Sequence, residues 1–457
     1  MHRFALPVLI LALLPAAASA GEWVAGDLHV HTTYSHDSYG GPEDDNTGPE
    51  EAYTLGHSVQ SQFSIAATRG LDFLAITDHQ SVRSQTDEGF GFGGVIGVPG
   101  YENSIKGHAQ MLGGKKDSYN RGDQSPGAIN AMAGELRADG GLFQANHPVD
   151  PKWQYGYDVP IDTAEVWNAP WVYQPPFPSA SDNDGALRFW HGWLDRGQRV
   201  AAVGGSDSHW VATTAAQGAG QPTTWVYVEQ RTPEAILAGL EAGRTFVSHQ
   251  PPNLGGPSAF LEADTDGDGT FESLVGDRVP RDSKLRVRVE GAPGAMLQLV
   301  TDGGEPAGDA VAIDSPSFTH TFDAPAGATW LHAQVYGEDL REQRSEAPCE
   351  TFFSPDNPLG GTTYCGNRVL MLALTSALFL RDPDPDAPPE EEAPKPPVAD
   401  PAPPASDPAA PAAVQEQPAT TPRANAPAKP KAKKKAKAKK KKKAKRKKKR
   451  RVKRRPR

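Results

Sequence analysis

The stretch Asp27-Leu28-His29-Val30-His31 lies near the start of the chain, and the first domain is organised around it. Its apolar residues predict a short buried strand, in which alternate side chains share a face, so His29 and His31 point the same way. Two imidazoles on one face at a strand end suit a metal ion better than an apolar core. Alone the pair is a weak signal, and its meaning depends on where other metal-binding side chains fall.

The first twenty residues have the form of an export signal. A short basic start precedes an apolar run over residues 4–14, and Ala18-Ser19-Ala20 is typical of a cleavage site before Gly21. The apolar run is too short to span a membrane. We therefore expect a signal peptide over residues 1–20 and an exported protein that is periplasmic, associated with the cell envelope or secreted.

Cysteines are scarce in this chain, which contains Cys349 and Cys365. Export to an oxidising compartment favours a disulfide between them, with two free buried thiols as the alternative. No thiolate then remains for a metal site, so we expect metals to be bound by nitrogen and oxygen donors.

Charge is divided unevenly along the chain. Residues 429–457 hold 22 Lys and Arg and no acidic residue, which leaves a net charge of −31 on residues 1–428, whereas the whole chain has −9. We expect this Lys/Arg-rich tail to bind anionic envelope polymers or lipid headgroups. It has no interleaved aromatic residues, so sequence-specific nucleic-acid binding is not expected. A solubilising tail and a tail that folds back onto the acidic body are the alternatives.

Apolar runs alternate with helical patterns between the signal peptide and residue 250. The runs are Gly26–Thr32, Asp72–Thr77, Gly94–Tyr101, Ala109–Leu112, Gly141–Ala145, Thr163–Trp167, Arg199–Val203 and Thr224–Glu229. The helical patterns are Val59–Arg69, Pro126–Ala138, Gly185–Asp195 and Pro233–Ala242. Repeated strand–helix units of this kind predict an α/β protein with a mostly parallel sheet or a (β/α) barrel.

The pattern changes after the first domain, which we place over residues 21–256. Short alternating apolar runs separated by Gly and Pro predict a small antiparallel β domain over residues 257–381. The run Val369–Leu380 is too short for a membrane anchor and is expected to be the last buried strand. Residues 382–428 are rich in Pro and Ala and predict an extended disordered linker before the tail.

Metal-binding side chains fall where the apolar runs stop. In a barrel of parallel strands these ends lie on one face, where active sites are built. Seven histidines and two acids at such positions exceed the donors that one ion takes, so two or three ions are expected, with Glu102 as a bridge. Mixed nitrogen and carboxylate donors favour Zn, Mn or Fe over Ca. The nine candidates are His29, His31, His36, His79, Glu102, His108, His147, Asp207 and His209.

Asp78 and His79 are adjacent at the end of the second run, so their side chains point apart in an extended strand. His79 is the better ligand, and Asp78 either orients a ligand or carries a proton. A site with several divalent ions and few carboxylates has surplus positive charge. Such a charge favours an anionic substrate, and a phosphate ester fits it.

Five short motifs together resemble the PHP family of metal-dependent hydrolases, named for polymerase and histidinol phosphatase. They are GDLHVHTTYSHD, AITDH, VPGYE with a following GH, NHP, and GGSDSH. Within the family they are most similar to the branch that includes the bacterial carbaryl hydrolases, over roughly residues 22–250. The resemblance implies a distorted (β/α)7 barrel with a trinuclear metal site, whereas the donor count alone leaves a di- or trinuclear site.

The resemblance also implies a role for each matching residue. One metal would be held by His29, His31, Glu102 and Asp207, the second by Glu102, His108 and His147, and the third by His36, His79 and His209. Many relatives carry Asp where His36 stands, and here Asp37 comes next, so both are candidate ligands. A hydroxide that bridges metals would attack phosphorus or a carbonyl carbon, with Asp78 and Asp207 as catalytic residues.

The expected function is therefore that of an exported metal-dependent hydrolase that acts on a phosphate ester. Hydrolysis of carboxyl or carbamate esters is one alternative. A non-catalytic envelope-binding protein that keeps a metal-filled barrel as a scaffold is another. The acidic body and the export signal disfavour a nuclease.

Three weaker signals have a structural and a functional interpretation. Asp264, Asp266 and Asp268 begin like a calcium loop, but Val275 stands where that loop needs Glu, so a polar turn is the alternative. The aromatic residues between Trp153 and Phe177 either wall a pocket or cover the end of a barrel. Arg83 either grips phosphate or is a solvated surface residue.

Overall fold

The computed structural model describes residues 21–38, 56–104, 107–116, 123–149, 153–171, 182–211, 214–215, 217–339, 350–354, 357–364 and 369–382. The expected signal peptide, both cysteines, the side chain of His36, the linker beyond Asp382 and the Lys/Arg-rich tail lie outside what it describes. The predictions for these segments stay predictions.

The first part of the chain alternates strands with helices, as predicted, in a mixed α/β arrangement. In order, its elements are β1 (Glu22–Val30), α1 (Val59–Arg69), β2 (Phe73–Ile76), β3 (Ile96–Val98), β4 (Glu102–Asn103), β5 (Ala109–Leu112), α2 (Pro126–Ala138), β6 (Leu142–Ala145), β7 (Thr163–Asn168), α3 (Asn183–Leu194), β8 (Ala201–Gly205), β9 (Thr223–Val228), α4 (Pro233–Glu241) and β10 (Thr245–Ser248).

The four predicted helices are confirmed, and local capping explains where they begin and end. Helix α1 begins after Ser58, whose hydroxyl accepts a hydrogen bond from the Ser61 N–H at 3.1 Å. It ends at Gly70, which has the left-handed φ of 77° that a helix C-cap needs. Helix α3 begins two residues earlier than predicted because the Asp182 carboxylate caps it, accepting from the Gly185 N–H at 2.8 Å.

The sheets are mixed, which corrects the expectation of a mostly parallel sheet. Strands β1, β2 and β3 pair in parallel, as do β6, β7 and β8, but β4–β5, β5–β6 and β1–β9 pair antiparallel. The five residues 104–108 between β4 and β5 are too few for a parallel crossover, which needs a dozen or more, so the chain must reverse there. The described residues contain four α helices, and the regular alternation of a (β/α)7 barrel is not found.

The remaining strands lie in the second part of the chain. They are β11 (Ser258–Asp264), β12 (Ser273–Leu274), β13 (Arg278–Pro280), β14 (Lys284–Glu290), β15 (Met296–Thr301), β16 (Glu305–Pro306), β17 (Val311–Ala312), β18 (Ser317–Asp323), β19 (Trp330–Asp339), β20 (Glu350–Ser354), β21 (Asn357–Tyr364), β22 (Val369–Thr375) and β23 (Leu378–Arg381). All pair antiparallel except β13 with β23. Strand β22 also pairs with β10, so one sheet continues across the boundary predicted after residue 256.

The run Val369–Leu380 forms two strands, β22 and β23, rather than the single strand predicted. The break falls at Ser376, whose hydroxyl accepts from the Ala202 N–H at 2.8 Å and pairs with the Thr245 hydroxyl at 2.7 Å. These contacts attach the break to β8 and β10. No helix in the described part of the chain is long and apolar enough to cross a membrane.

Strand β1 is the centre of the first part of the chain, because residues 24–32 are all buried. Leu28 packs in an apolar cluster with α4, whereas Val30 packs in another cluster with α1. An extra residue between Asp27 and Val30 breaks the register with β2, which is the signature of a β-bulge. The bulge lies at the polar end of the strand, beside the imidazoles of His29 and His31.

Candidate metal centre

The predicted metal-binding side chains converge on one buried carboxylate, that of Glu102, whose side chain is 1% exposed. Glu102 stands at the start of β4, and His79 follows β2 and bridges to it in parallel. The other converging side chains come from the ends or the following loops of β1, β6 and β8 and from the start of β5. They are His29, His31, His108, His147, Asp207 and His209.

A first group of ligand atoms surrounds the end of β1. His29 Nε2 lies 3.0 Å from His31 Nε2, and the two atoms lie 3.2 and 3.3 Å from Asp207 Oδ1. The same nitrogens lie 3.5 and 3.4 Å from Glu102 Oε2. Two ligand atoms on one tetrahedral zinc ion lie about 3.3 Å apart, given the usual bond lengths. His29, His31 and Asp207 therefore have the spacing of a metal-binding set, and Glu102 lies beside its two imidazoles.

A second group centres on Asp37, in the 3-10 helix His36–Ser38. Its Oδ2 lies 2.6 Å from His209 Nε2 and 3.3 Å from His79 Nε2, and His31 is close enough to complete the set. Asp37 was the alternative to His36 as a ligand of the third metal. Its carboxylate contacts the imidazoles of His79 and His209, the other two ligands expected for that metal.

A third group uses the other oxygen of Glu102. Glu102 Oε1 lies 3.0 Å from His108 Nδ1 and 3.8 Å from His147 Nε2, and it accepts a hydrogen bond from Asn146 Nδ2 at 2.9 Å. Its Oε2 faces His29, His31 and His79. Because its two oxygens face different imidazoles, Glu102 has the geometry of a bridging ligand. Three overlapping sets of ligand atoms in the described residues lie close enough together to hold an ion: those of His31, Asp37, His79 and His209, those of His29, His31 and Asp207, and those of His29, Glu102 and His147.

Asp78 points away from these groups. Its Oδ1 accepts from the Thr32 N–H at 2.6 Å, and Oδ2 accepts from the Thr32 hydroxyl at 2.8 Å. Thr32 directly follows His31, so Asp78 fixes the backbone that carries this imidazole. The contacts favour the orienting role over proton transfer. Burial raises the pKa of Asp78 to about 6.

Sequence reasoning missed Glu165, a fully buried acid in β7. Its Oε1 lies 2.8 Å from His29 Nδ1, and its Oε2 accepts from the His147 N–H at 2.9 Å. A carboxylate only accepts hydrogen bonds, so Nδ1 of His29 carries the proton and Nε2 is the atom that can bind a metal. Asn168 Nδ2 connects the same carboxylate to Asp207, with distances of 3.2 and 3.4 Å. A single acid within the apolar run Thr163–Trp167 was the available signal.

Backbone strain is concentrated at the cluster. The non-glycine residues with positive φ in the described part of the chain are Gln80 (47°), His147 (26°), Ala169 (53°) and Asp207 (52°). Two are candidate ligands, and the others directly follow His79 and Asn168. Each such conformation costs about 1–3 kcal/mol and persists where surrounding structure imposes it, typically at functional sites.

Burial disfavours the charged forms of these side chains, but charged neighbours shift most of their pKa values in the opposite direction. Burial would raise the pKa of Glu102, yet His108, His79 and His29 hold it well below its usual range. Burial would lower the pKa of His79 and His209, yet nearby carboxylates raise them to about 10 and about 9. His31 differs, because burial and the neighbouring His209 and His79 lower its pKa to about 3. The carboxylates thus attract positive charge, as protons when no metal ion is bound.

The acidic loop that begins at Asp264 is the first of the three weaker signals. Asp264, Asp266 and Glu272 come close enough to hold an ion, whereas Asp268 accepts from the Thr270 N–H at 2.7 Å. Both Asp264 oxygens accept from glycine N–H groups, as in the polar turn that was the alternative. Calcium binding there stays a prediction.

The aromatic stretch is largely buried where it is described. Trp153, Tyr155 and Trp171 are 8%, 5% and 3% exposed. Trp171 packs edge-on against Trp167 with ring centroids 4.9 Å apart. Tyr173 and Phe177 lie outside the described residues. These contacts fit the interpretation of the aromatic stretch as a cover over the strand ends.

Arg83, the third weaker signal, is exposed, and its guanidinium lies 4.6 Å from the centre of the Tyr34 ring.

Comparisons with known proteins add little to this geometry. The family described as "Protein of unknown function (DUF3604)" matches residues 20–88, less than half of the chain. The chain matches no curated protein. One similar solved structure is a two-domain protein from Bacteroides vulgatus ATCC 8482 that is described as containing a predicted PHP-like metal-dependent phosphoesterase. The two sequences are 14% identical, and the match covers 69% of this chain and 90% of that chain with a TM-score of 0.37. A TM-score this low does not establish a shared fold.

We expect metal binding to release protons. Divalent ions bind neutral imidazole, and the raised pKa values keep His79 and His209 protonated at pH 7 when no metal is bound. Calorimetric titration of chelator-treated protein with Mn²⁺, in buffers of different ionisation enthalpy, should detect at least one proton released per chain. Affinity should rise as the pH rises from 6 to 8. A pH-independent affinity without proton release would contradict this.

Replacing Glu165 by Gln should weaken metal binding by roughly 10–100-fold, the usual effect of losing a partner that orients a ligand. The Gln side chain has one oxygen that accepts a hydrogen bond and one NH2 group that only donates. Either His29 Nδ1 or the His147 N–H therefore loses its acceptor. Competition with a chromophoric chelator measures the affinity. Glu241→Gln, at an exposed position in α4, is the matched control and should bind like the native chain. Equal affinities of the two variants would count against the role of Glu165.

Proposed function

We propose that this chain is a metal-dependent phosphoesterase of the PHP type. The observation that carries the proposal is the convergence on Glu102 of imidazoles from several strand ends, at ligand-to-ligand distances of 3.0–3.5 Å around His29 and His31. A buried polar cluster that served only the fold would be expected to satisfy its own hydrogen bonds. Here Glu102 Oε2 and Asp37 Oδ1 are buried without a hydrogen-bond partner in the described residues.

A distorted barrel is part of the proposal. Two isolated bridges support it, Val30 with Ser208 and His79 with Glu102, because they connect the sheet of β1 and β2 to the sheet of β4–β8 at both of its edges. Strands β1, β2 and β4–β8 would then form a ring of seven. Active sites of such barrels lie at the strand ends, which is where the cluster lies.

Divalent ions bound in this site would lower the pKa of a water molecule and withdraw charge from a phosphoryl group. The residues of the chain would bind these ions and orient one another as ligands. Glu102 shares its two oxygens between groups, Glu165 fixes the tautomer of His29, and Asp78 holds the loop after His31.

Substrate access is indicated by exposure. Asp37 and Asp207 are 31% and 23% exposed, whereas the imidazoles of the cluster are at most 10% exposed. The substrate would therefore approach from the side of these two acids. Asp207 is the most exposed ligand of the group around His29 and His31, and its carboxylate would accept a proton from the attacking water on that side.

The first test is a panel of phosphate mono- and diesters, carboxyl esters and carbamates, assayed with and without chelator. We expect chelator-sensitive hydrolysis of phosphate esters, lowered about tenfold or more in kcat/KM by His147→Ala, which corresponds to about 1.4 kcal/mol of transition-state stabilisation. His320→Ala, in β18, is the matched control and should leave hydrolysis unchanged.

Each outcome of this panel is informative. Undiminished hydrolysis by a folded, metal-loaded His147→Ala protein would defeat the site assignment, and chelator-insensitive hydrolysis would defeat metal dependence. A preference for carboxyl or carbamate esters would favour that alternative. Metal binding without hydrolysis of any ester would favour a non-catalytic envelope-binding protein.

The proposal includes export and retention by the Lys/Arg-rich tail over residues 429–457. Support comes from the export-type first twenty residues and from 22 basic side chains without an acid in the tail. Polycation binding to anionic polymers or lipids weakens with salt. We expect added salt to release the protein from envelope fractions, and deletion of residues 429–457 to abolish retention. Retention that survives the deletion would contradict the proposal.

A further inference from the structure

The open side of the cluster carries exposed apolar surface. Trp210 and Val211 directly follow His209 and are 42% and 57% exposed. They are two of the four large apolar side chains that are exposed in the described residues, the others being Phe92 and Leu254. Isolated exposed apolar residues are common and need no explanation. A consecutive pair attached to a candidate metal ligand is a different case, because apolar residues beside polar groups are what ligand sites are made of.

The Trp210 ring is held in place relative to the cluster. Its backbone forms an antiparallel bridge with Gly56. Its indole Nε1 lies 3.5 Å from the Asp37 carbonyl oxygen, and its ring lies 5.4 Å from the His209 ring at 41°. The ring therefore contacts two candidate ligands, which restricts its conformations and lowers the entropy lost when a ligand packs on it.

We propose that Trp210 is a stacking platform for a flat ring in the substrate, so that the substrates are aryl or nucleoside phosphate esters. The inference rests on the proposed function. A phosphoryl group bound beside Asp37 and His209 would lie close to the indole, whose ring centroid is 5.4 Å from that of His209, so its ester group could reach the ring. Stacking on a tryptophan face accepts any flat ring, so the shared chemistry of the two ester types is a planar π-system one ester bond from phosphate.

The test compares two phosphonates that cannot be hydrolysed, phenylphosphonate and methylphosphonate, by calorimetric titration of the metal-loaded protein. We expect the native chain to bind phenylphosphonate roughly tenfold more tightly, within the range usual for stacking on an aromatic side chain. Trp210→Ala should remove this preference, and Trp210→Phe should keep most of it. Phe92→Ala, which removes an exposed aromatic ring on another segment, is the matched control and should keep it fully.

Hydrolysis of phenyl phosphate and of a nucleoside 5′-monophosphate by the same variants distinguishes the two ester types. The type whose KM rises most in Trp210→Ala, with metal content unchanged, is the one that the ring recognises. A phenyl preference that persists in Trp210→Ala overturns the stacking inference while leaving the phosphoesterase proposal intact. If the metal-loaded native chain binds neither phosphonate and hydrolyses neither ester, both the stacking inference and the phosphoesterase proposal are overturned.

Discussion

The site depends on stabilising one buried carboxylate. Glu102 has almost no exposed surface, and an isolated carboxylate in such a place would cost several kcal/mol. Imidazoles compensate this charge, and they come from segments that are far apart in the chain: the end of β1 and the residue after it, the loop after β2, the residue before β5 and the loop after β6. The strand ends must therefore assemble correctly for the charge to be paired. The hairpin of β4 and β5 is what brings Glu102 and His108 to the same place.

Three further buried acids hold the backbone that carries the ligands. Asp27 accepts from the N–H groups of His29, Ser206 and Gly220, which connects β1 to the segment between β8 and β9. Asp78 holds the loop after His31, and Glu165 holds both His29 and the backbone of His147. Buried acids that donate nothing and accept from several N–H groups fix geometry tightly. The strained backbone at His147 and Asp207 is maintained against this framework.

Much of this arrangement is visible in the sequence, since it depends on local signals. Ser58 and Gly70 mark the ends of α1, and the strand-end positions of His29, His79 and His147 are readable as the places where apolar runs stop. Other features depend on tertiary contacts. Pairing of β10 with β22 joins residues more than a hundred positions apart, and no local pattern encodes it. Glu165 is hidden for a similar reason, because a charged residue in an apolar run becomes interpretable only when its distant partner His29 is known.

If the cluster around Glu102 is a multinuclear metal site, the purified chain must carry more than one metal ion. Elemental analysis of the native chain, beside Glu102→Gln and the control His320→Ala, tests this most directly. We predict two or three transition-metal ions per chain in the native protein and in the control, and the loss of at least one ion from Glu102→Gln. One ion or fewer per chain in the native protein, after purification with added metal, would contradict the assignment.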